Sequence, residues 1–413
     1  MATNVYCHGL PTTYEDAARA NVGMRENIAM RAFALVQSEE DILVLPRDPA
    51  VEAYIAFMRQ VTEFSPHIWW TSGDHFTLEE DLLAEYGQAL SSLSANGGVV
   101  FHNYLPSVGS ADLTNAVHGS SIVGPHRQDT ALFGTKTALH LTMHAPGAKC
   151  LGQSPGIPVV PGYTVSHEGG ALAAAQELRE RYPRNPFLVR VKEANSISGS
   201  GQRVVEVGPG HTRELTEGLA FPLVIEVEVI ARRSVSVQYG VVGGDVQVWG
   251  YTEQVFYDDG IKWRGNCSLD DSALERRLHN IGASDARHLA AYHVNALAGM
   301  DIIQVRDDRF HERLFMVERN LRVTGAHIQH GLLRMLNCPD FPYYAAFIGI
   351  PPSVSFGDFV SALDRRGIVL QKDGTRGVTL TSFAPGIAGV MAVASTRADA
   401  EALFLEVERE WMH

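Results

Sequence analysis

The stretch "FMVERNLRVTGAH", Phe315 to His327, decides how the chain is read. An apolar lead-in runs into Glu318, Asn320 and Arg322, spaced two apart. Alternate side chains of a strand share a face, so a carboxylate, an amide and a guanidinium would line one side, roughly 7 Å apart. Upstream, "MDIIQV" (300–305) and the charged turn "RDDRFHER" (306–313) precede this strand. Folding a hairpin at that turn sets Asp301 opposite Glu318, on the same face and about 5 Å away. Two facing carboxylates with an amide beside them make an oxygen cage suited to Mg²⁺, which takes carboxylates together with substrate phosphates. Arg322 is placed to hold a phosphate or carboxylate in its fork. The plain alternative is a solvated polar face, but the apolar flanks "DII" and "LFMV" argue for burial.

Two other stretches carry chemistry. "FLVRVKEANSISGSGQ" (187–202) delivers Lys192 on an apolar strand and then enters a Ser/Gly loop, Ser196, Ser198, Gly199, Ser200 and Gly201. Glycines let backbone amides turn toward an anion, and lysine supplies a point charge for a phosphate. A flexible hairpin turn has the same composition, and the pattern is not the G-K-[ST] P-loop. "PLVIEVEVI" (222–230) puts Glu226 and Glu228 on one face of a strand, with Val227 and Val229 on the other. This is either a solvated acidic face or a nucleotide edge, where carboxylates and main chain bind ribose hydroxyls or an adenine amino group.

The totals exclude several classes. A chain of 413 residues with 45% apolar and 20% charged residues is an ordinary globular composition, long enough for two to four domains. A formal net charge of −13 argues against a general nucleic-acid or anionic-membrane surface. Cys7, Cys150, Cys267 and Cys338 are scattered without a C-x-x-C pair, which disfavours structural zinc and a disulfide framework. No apolar run approaches the ~18 residues of a membrane span, and the N-terminus lacks a signal-peptide core, so a cytoplasmic setting is expected. The histidines, among them His327 and His330, form no H-E-x-x-H pattern and read as satisfied polar residues.

Along the chain, strands are expected at 41–46, 97–105 and 120–125, and helices at 49–64 and 78–95, an alternation that suggests a parallel sheet. A helix over 129–145, a Pro/Gly-rich link at 154–165, a helix over 169–182 and a strand-rich stretch from 221 to 267 follow. A helix pair is expected over 271–299, then the hairpin. The tail, 341–413, reads as a small α+β appendage with helices near 356–366 and 397–411.

Taken in order, Lys136, Lys192 with its Gly-rich loop, the Glu226–Glu228 strand, Asp301 and the Glu-x-Asn-x-Arg hairpin resemble the ATP-grasp superfamily over about residues 125–335. "GIPVVPGYTV", "YTEQVFYDDGIKWRGN" and "ERNLRVTGAH" are similar to peptide and amino-acid ligases of natural-product pathways, such as the pheganomycin-type peptide ligases. The resemblance implies an α/β and α+β chain. Residues 1–125 would be the pre-ATP-grasp α/β domain and 126–225 the N-terminal part with a mobile lid. Residues 226–340 would be the antiparallel core with the Mg²⁺ and ATP site, and 341–413 the appendage.

It also implies roles. Lys136, Lys192 and the loop from Ser196 to Gly201 would contact the phosphates of ATP, and Glu226, Glu228 and the Val229 backbone the nucleoside. Asp301, Glu318 and Asn320 would hold Mg²⁺, and Arg322, with Arg264 as a second candidate, would stabilise the group being transferred. One departure is Arg233, near the point where the family places a ribose-binding Glu. Either Glu226 or Glu228 then takes the ribose, or nucleotide binding is altered. The implied reaction joins a carboxylate to an amine through an acyl-phosphate, with amino acids or short peptides as substrates. Rivals are a bicarbonate-using carboxylase-like enzyme and a nucleotide-binding regulatory protein with a degenerate site. ATP-grasp ligases are often homodimers, although the sequence carries no interface signal.

Overall fold

A computed structural model describes residues 2–9, 28–73, 76–104, 108–124, 127–134, 136–140, 152–194, 201–208, 214–257, 262–310 and 313–411. Three sheets organise them. The first comprises β1 (Thr3–Cys7), β2 (Ile42–Pro46), β3 (His67–Thr71), β4 (Val99–Asn103) and β5 (Ser121–Val123), all parallel, in the order β3-β2-β1-β4-β5. Helices α1 (Pro49–Thr62), α2 (Leu78–Gly97) and α3 (Val108–Ala116) make its crossovers. Asp48 starts α1 by accepting the amides of Ala50 and Val51, with Pro49 at the first turn. The strand order reverses between β1 and β4. In open α/β sheets the crevice beyond such a switch point is where ligands bind.

The second sheet is antiparallel and small: β6 (Gly162–Val165), β7 (Leu188–Glu193), β8 (Gln202–Glu206) and β9 (Leu223–Val227), in the order β6-β9-β7-β8. Helix α4 (Glu168–Arg181) covers one face, burying Ala171, Ala174, Ala175 and Leu178 against Val189, Val191 and Ile225. The third sheet has eight strands. They are β10 (Ala231–Val242), β11 (Asp245–Phe256), β12 (Trp263–Ser268), β13 (Leu297–Val305), β14 (Arg313–Asn320), β15 (Tyr343–Gly349), β16 (Gly377–Ala384) and β17 (Ile387–Val393). Their order is β14-β13-β10-β11-β12-β15-β17-β16. Helix α5 (Ser272–Ala291) packs on β10 and β11, while α6 (Gly325–Met335), α7 (Phe356–Arg365) and α8 (Arg397–Trp411) belong to the C-terminal part. The α+β tail thus continues the central sheet through β15, β17 and β16, and its core runs on into the first sheet, where Tyr54 and Phe57 meet Phe356.

Two local expectations fail. The helix expected over 129–145 is instead a succession of short α, π and 3-10 turns at 127–134 and 136–139, and residues 141–151 lie outside the described residues. The buried Arg319 guanidinium takes the Phe133 carbonyl at 3.0 Å, in competition with a regular α-helical ladder, and also that of Gly152 at 2.6 Å. A side chain at Gly134 would also stand 3.0 Å from the Leu321 Cβ. The helix pair expected over 271–299 is one helix, α5, because Leu297–Val305 is claimed by the sheet as β13. His293, with φ of 60°, turns the chain between them.

Candidate active site

The hairpin register sets Asp301 opposite Glu318, with Gly299 opposite Asn320 and a bulge just after Asp301. Glu318, Asn320 and Asp301 therefore share the face of the central sheet that also carries Ser236 of β10. The opposite face presents Arg319, which is fully buried with Asp285 of α5, 2.5 Å away, and Tyr239. Asn320 donates to the Asp301 carboxylate at 3.1 Å, and Ser236 and Gln254 also hydrogen-bond it. Burial, then the Glu318 charge, push the Asp301 carboxyl up to about 6. A cation placed between them would offset both the burial and the mutual repulsion of the two carboxylates.

Two carboxylates and an amide fit Mg²⁺ shared with phosphates rather than a metal caged by protein alone. No group of three His, Cys, Asp or Glu side chains poised to hold a metal occurs among the described residues. Arg322 donates to the Asn320 amide oxygen and to the Tyr104 hydroxyl, both at 3.1 Å.

The small sheet supplies the other half. Arg190 and Lys192 alternate on β7, and Arg190 faces Glu226 of β9. The charges pair diagonally: Lys192 Nζ lies 2.5 Å from Glu226, and Arg190 grips Glu228 through two bonds of 2.8 Å. Burial alone would push the Glu226 carboxyl up; Lys192 and His140 outweigh it and hold the group at about 2.

A single turn joins the halves. Lys136 Nζ stands 4.0 Å from Glu318, and four residues on, His140 Nε2 stands 3.2 Å from Glu226. The His140 ring also meets the Lys136 and Val160 carbonyls, at 3.3 and 3.2 Å. The site therefore spans both sheets, with Lys136 and Lys192 each against a carboxylate and buried. Val229 is half-buried in the link between β9 and β10. Of the expected Ser/Gly loop, Gly201 is described, at φ of 62° just before β8, while Ser196, Ser198, Gly199 and Ser200 lie outside the described residues.

Three expected residues are engaged differently. Glu228 gives both carboxylate oxygens to Arg190, so its side chain enters the site as part of an ion pair. Arg264 is not brought to the carboxylates: its guanidinium is taken by Glu408 of α8 and the Phe347 carbonyl, and it lies over the Phe404 ring. Arg233 pairs with Glu253 and Asp270, on a network shared with Arg397 of α8. His327 is satisfied on one side only: its Nδ1 accepts the Thr324 amide at 3.1 Å and caps α6, while its Nε2, like that of His330, is buried without a hydrogen-bond partner among the described residues.

Sequence reasoning missed His140, Arg190 and Tyr104. Arg190 was legible, two residues before Lys192 on an alternating strand. Tyr104 follows β4 at the switch point of the parallel sheet. His140 had no pattern, because its turn takes its shape from contacts made elsewhere. Beyond that switch point lies a cleft of about 420 Å³, lined by Tyr6, His8, Gln37, His102, Trp249 and Arg322. His8 is 1% exposed, with both ring nitrogens unpartnered, and burial lowers its pKa to about 3, so the imidazole is neutral.

No family model and no curated relative matches the chain. Solved structures do. A biotin carboxylase from Campylobacter jejuni in complex with an ATP analogue superposes with a TM-score of 0.57 at 14% identity, over 100% of this chain and 91% of that one. An ADP complex of an N5-carboxyaminoimidazole ribonucleotide synthetase gives 0.57 at 12% identity, over 98% and 96%. A carboxyaminoimidazole ribonucleotide synthase from Aspergillus clavatus complexed with ATP gives 0.55 at 14%, over 99% of both chains. The chain accordingly has the fold of the ATP-grasp enzymes, along its whole length. No helix among the described residues is long and apolar enough to cross a membrane.

Proposed function

We propose that this protein is an ATP-dependent carboxylate–amine ligase that joins amino acids, or an amino acid and a short peptide, in a secondary-metabolite pathway. The observation that carries the reading is the turn from Lys136 to His140, which brings a lysine and two carboxylates on the central sheet together with a lysine and a carboxylate on the small one. Such a constellation is suited to a nucleoside triphosphate held between two sheets.

Lys136 and Lys192 place positive charge for phosphate oxygens. Glu226, 2.5 Å away, holds the Lys192 ammonium in place, and the main chain near Val229 offers the nucleoside its edge. Asp301, Glu318 and Asn320 are the residues that would hold Mg²⁺, which when bound neutralises phosphate charge. A substrate carboxylate oxygen bonds to the γ-phosphorus, the bridging P–O bond breaks, and ADP departs. The amine then bonds to the acyl carbon of the acyl-phosphate, and phosphate leaves. Arg322 meets the charge on the group in transit. The protein acts mainly by positioning and electrostatics.

The names of the fold neighbours support a second reading, in which bicarbonate is the activated acid. An ADP-release screen of amino acids in pairs, with product mass measured, separates the two. The ligase reading expects ADP only with an acid and an amine together, and a product lighter than their sum by one water. Bicarbonate-dependent ADP release favours the second reading, and no ADP with any pair rejects the ligase. Glu318→Ala should lower ADP formation by about two orders of magnitude or more while the fold persists; near-normal turnover would remove Glu318 from the metal set.

A further inference from the structure

The hydrogen bonds around His102 fix which of its ring nitrogens carries the proton. Asn4 and Tyr6 alternate on β1, and Tyr6 pairs with His102 of β4, so the three share one face of the parallel sheet. Asp41, 4% exposed, precedes β2 beside them. One of its oxygens accepts the Gln37 and Ser38 amides, at 3.2 and 3.1 Å, and the other accepts the Asn4 side-chain amide at 2.9 Å. A carboxylate accepts and does not donate, so the Asn4 nitrogen faces Asp41 and the Asn4 oxygen faces His102. His102 Nε2 stands 3.1 Å from that oxygen and must be the protonated nitrogen. Nδ1 is left with its lone pair.

The ring is also held in place. It stacks on Tyr6, with 4.3 Å between centroids and 16° between planes. Burial lowers its pKa to about 4, so the imidazole is neutral near pH 7 and Nδ1 is an acceptor. His102 lines the cleft beyond the switch point, and so does Arg322. Arg322 donates to Asn320, so one wall of the cleft belongs to the active site. His8 stands in the same wall and is neutral too. At about 420 Å³ the cleft has room for a small substrate.

We propose that this cleft holds the amine substrate and that His102 is the catalytic base for its attack. Nδ1 accepts an N–H of the amine. The amine nitrogen bonds to the acyl carbon, the bond from that carbon to the phosphate oxygen breaks, and the N–H proton passes to Nδ1. The imidazolium then gives that proton to the departing phosphate, which leaves as hydrogen phosphate. Asn4 is a positioning residue, because it holds the tautomer through Asp41. The role of His102 as base rests on the ligase reading; the tautomer does not.

Two measurements on the full chain test the proposal. Long-range proton–nitrogen correlation spectra of histidine-labelled protein should place the His102 proton on Nε2, and Asn4→Leu should convert the ring to a mixture of tautomers. A wild-type ring protonated on Nδ1 overturns the proposal. His102→Phe keeps a ring against Tyr6 and removes both nitrogens. Amide formation should then fall by about a hundredfold or more, while trapping of the acyl-phosphate by hydroxylamine, already neutral and reactive without a base, stays within about twofold. Asn4→Leu should lower amide formation alone by about tenfold or more, and serves if the phenylalanine variant does not fold. Equal losses in amide formation and trapping, or no loss in amide formation, overturn the proposal. A wild type that gives neither amide nor hydroxamate with any acid would instead reject the ligase reading, and the role as base with it, whatever the tautomer.

Discussion

Glu226 shows how one residue can be read from sequence and still hold a surprise. Its alternation with Glu228 and its place in an apolar strand marked it, but the pattern equally fitted a solvated face. Burial at 2% exposure, with Lys192 2.5 Å away, settles which face it occupies. The folded pKa near 2 lies below the ordinary carboxylate value, so its ionised form is favoured by folding. That stabilisation is fully present above the unfolded pKa, about 4.3, and is lost as pH falls through the folded one. Glu226→Gln should therefore destabilise the chain by about 3 kcal/mol near neutral pH, because it leaves Lys192 buried against a neutral amide. Urea titrations should show the gap between the two proteins narrowing from pH 5 to pH 3. A gap that stays constant over that range would show that the Lys192–Glu226 charge pair is not what folding favours. Asp301 and Glu318 were legible because the two strands flank one charged turn, although it is the bulge just after Asp301 that sets the two carboxylates opposite each other. His140 was not, because nothing local distinguishes it from any histidine in a loop.

At the scale of elements, the hairpin β13–β14 has two faces with opposite tasks. One carries Glu318 and Asn320, and the other sends Arg319 inward to Asp285 and Tyr239. This buried trio fixes the strand against α5 and, through the Phe133 and Gly152 carbonyls, shapes the approach to Lys136. Removing the charge of Asp285 leaves an uncompensated buried guanidinium. Asp285→Asn should cost about 3–5 kcal/mol, measured by urea denaturation. It should also weaken nucleotide binding, because the turn that carries Lys136 and His140 rests on Arg319. A loss below about 1 kcal/mol with unchanged ADP affinity would contradict both parts. One of these contacts bears on why helical periodicity over 129–145 misled: Arg319 competes for the Phe133 carbonyl, which a regular helix would have used internally. Similarly, the apolar residues of 294–300 fit a second helix, but pairing with β10 decided for a strand.

For the whole molecule, the α+β tail was visible in the sequence and its attachment was not. Sheet neighbours far apart in sequence leave no local pattern, and Gly265 to Cys267 pair with Tyr344 to Ala346. A chain ending at Asp340 would expose the backbone edge of β12 and strip Phe356 from Tyr54 and Phe57. Such a truncation should show no cooperative thermal transition by near-ultraviolet circular dichroism; a sharp transition would mean that the tail is dispensable for folding. The same long-range assembly brings a turn from one segment, a strand pair from another and the mouth of the parallel sheet to one place, so the motifs join into one site in the sequence only through their order and the resemblance it carries.

The most direct test of the ligase account uses a heavy-oxygen label in the carboxylate of whichever acid supports ADP release. Mass analysis of the released phosphate should find one labelled oxygen, transferred when the acyl-phosphate is broken by the amine. Unlabelled phosphate accompanying amide formation would contradict it.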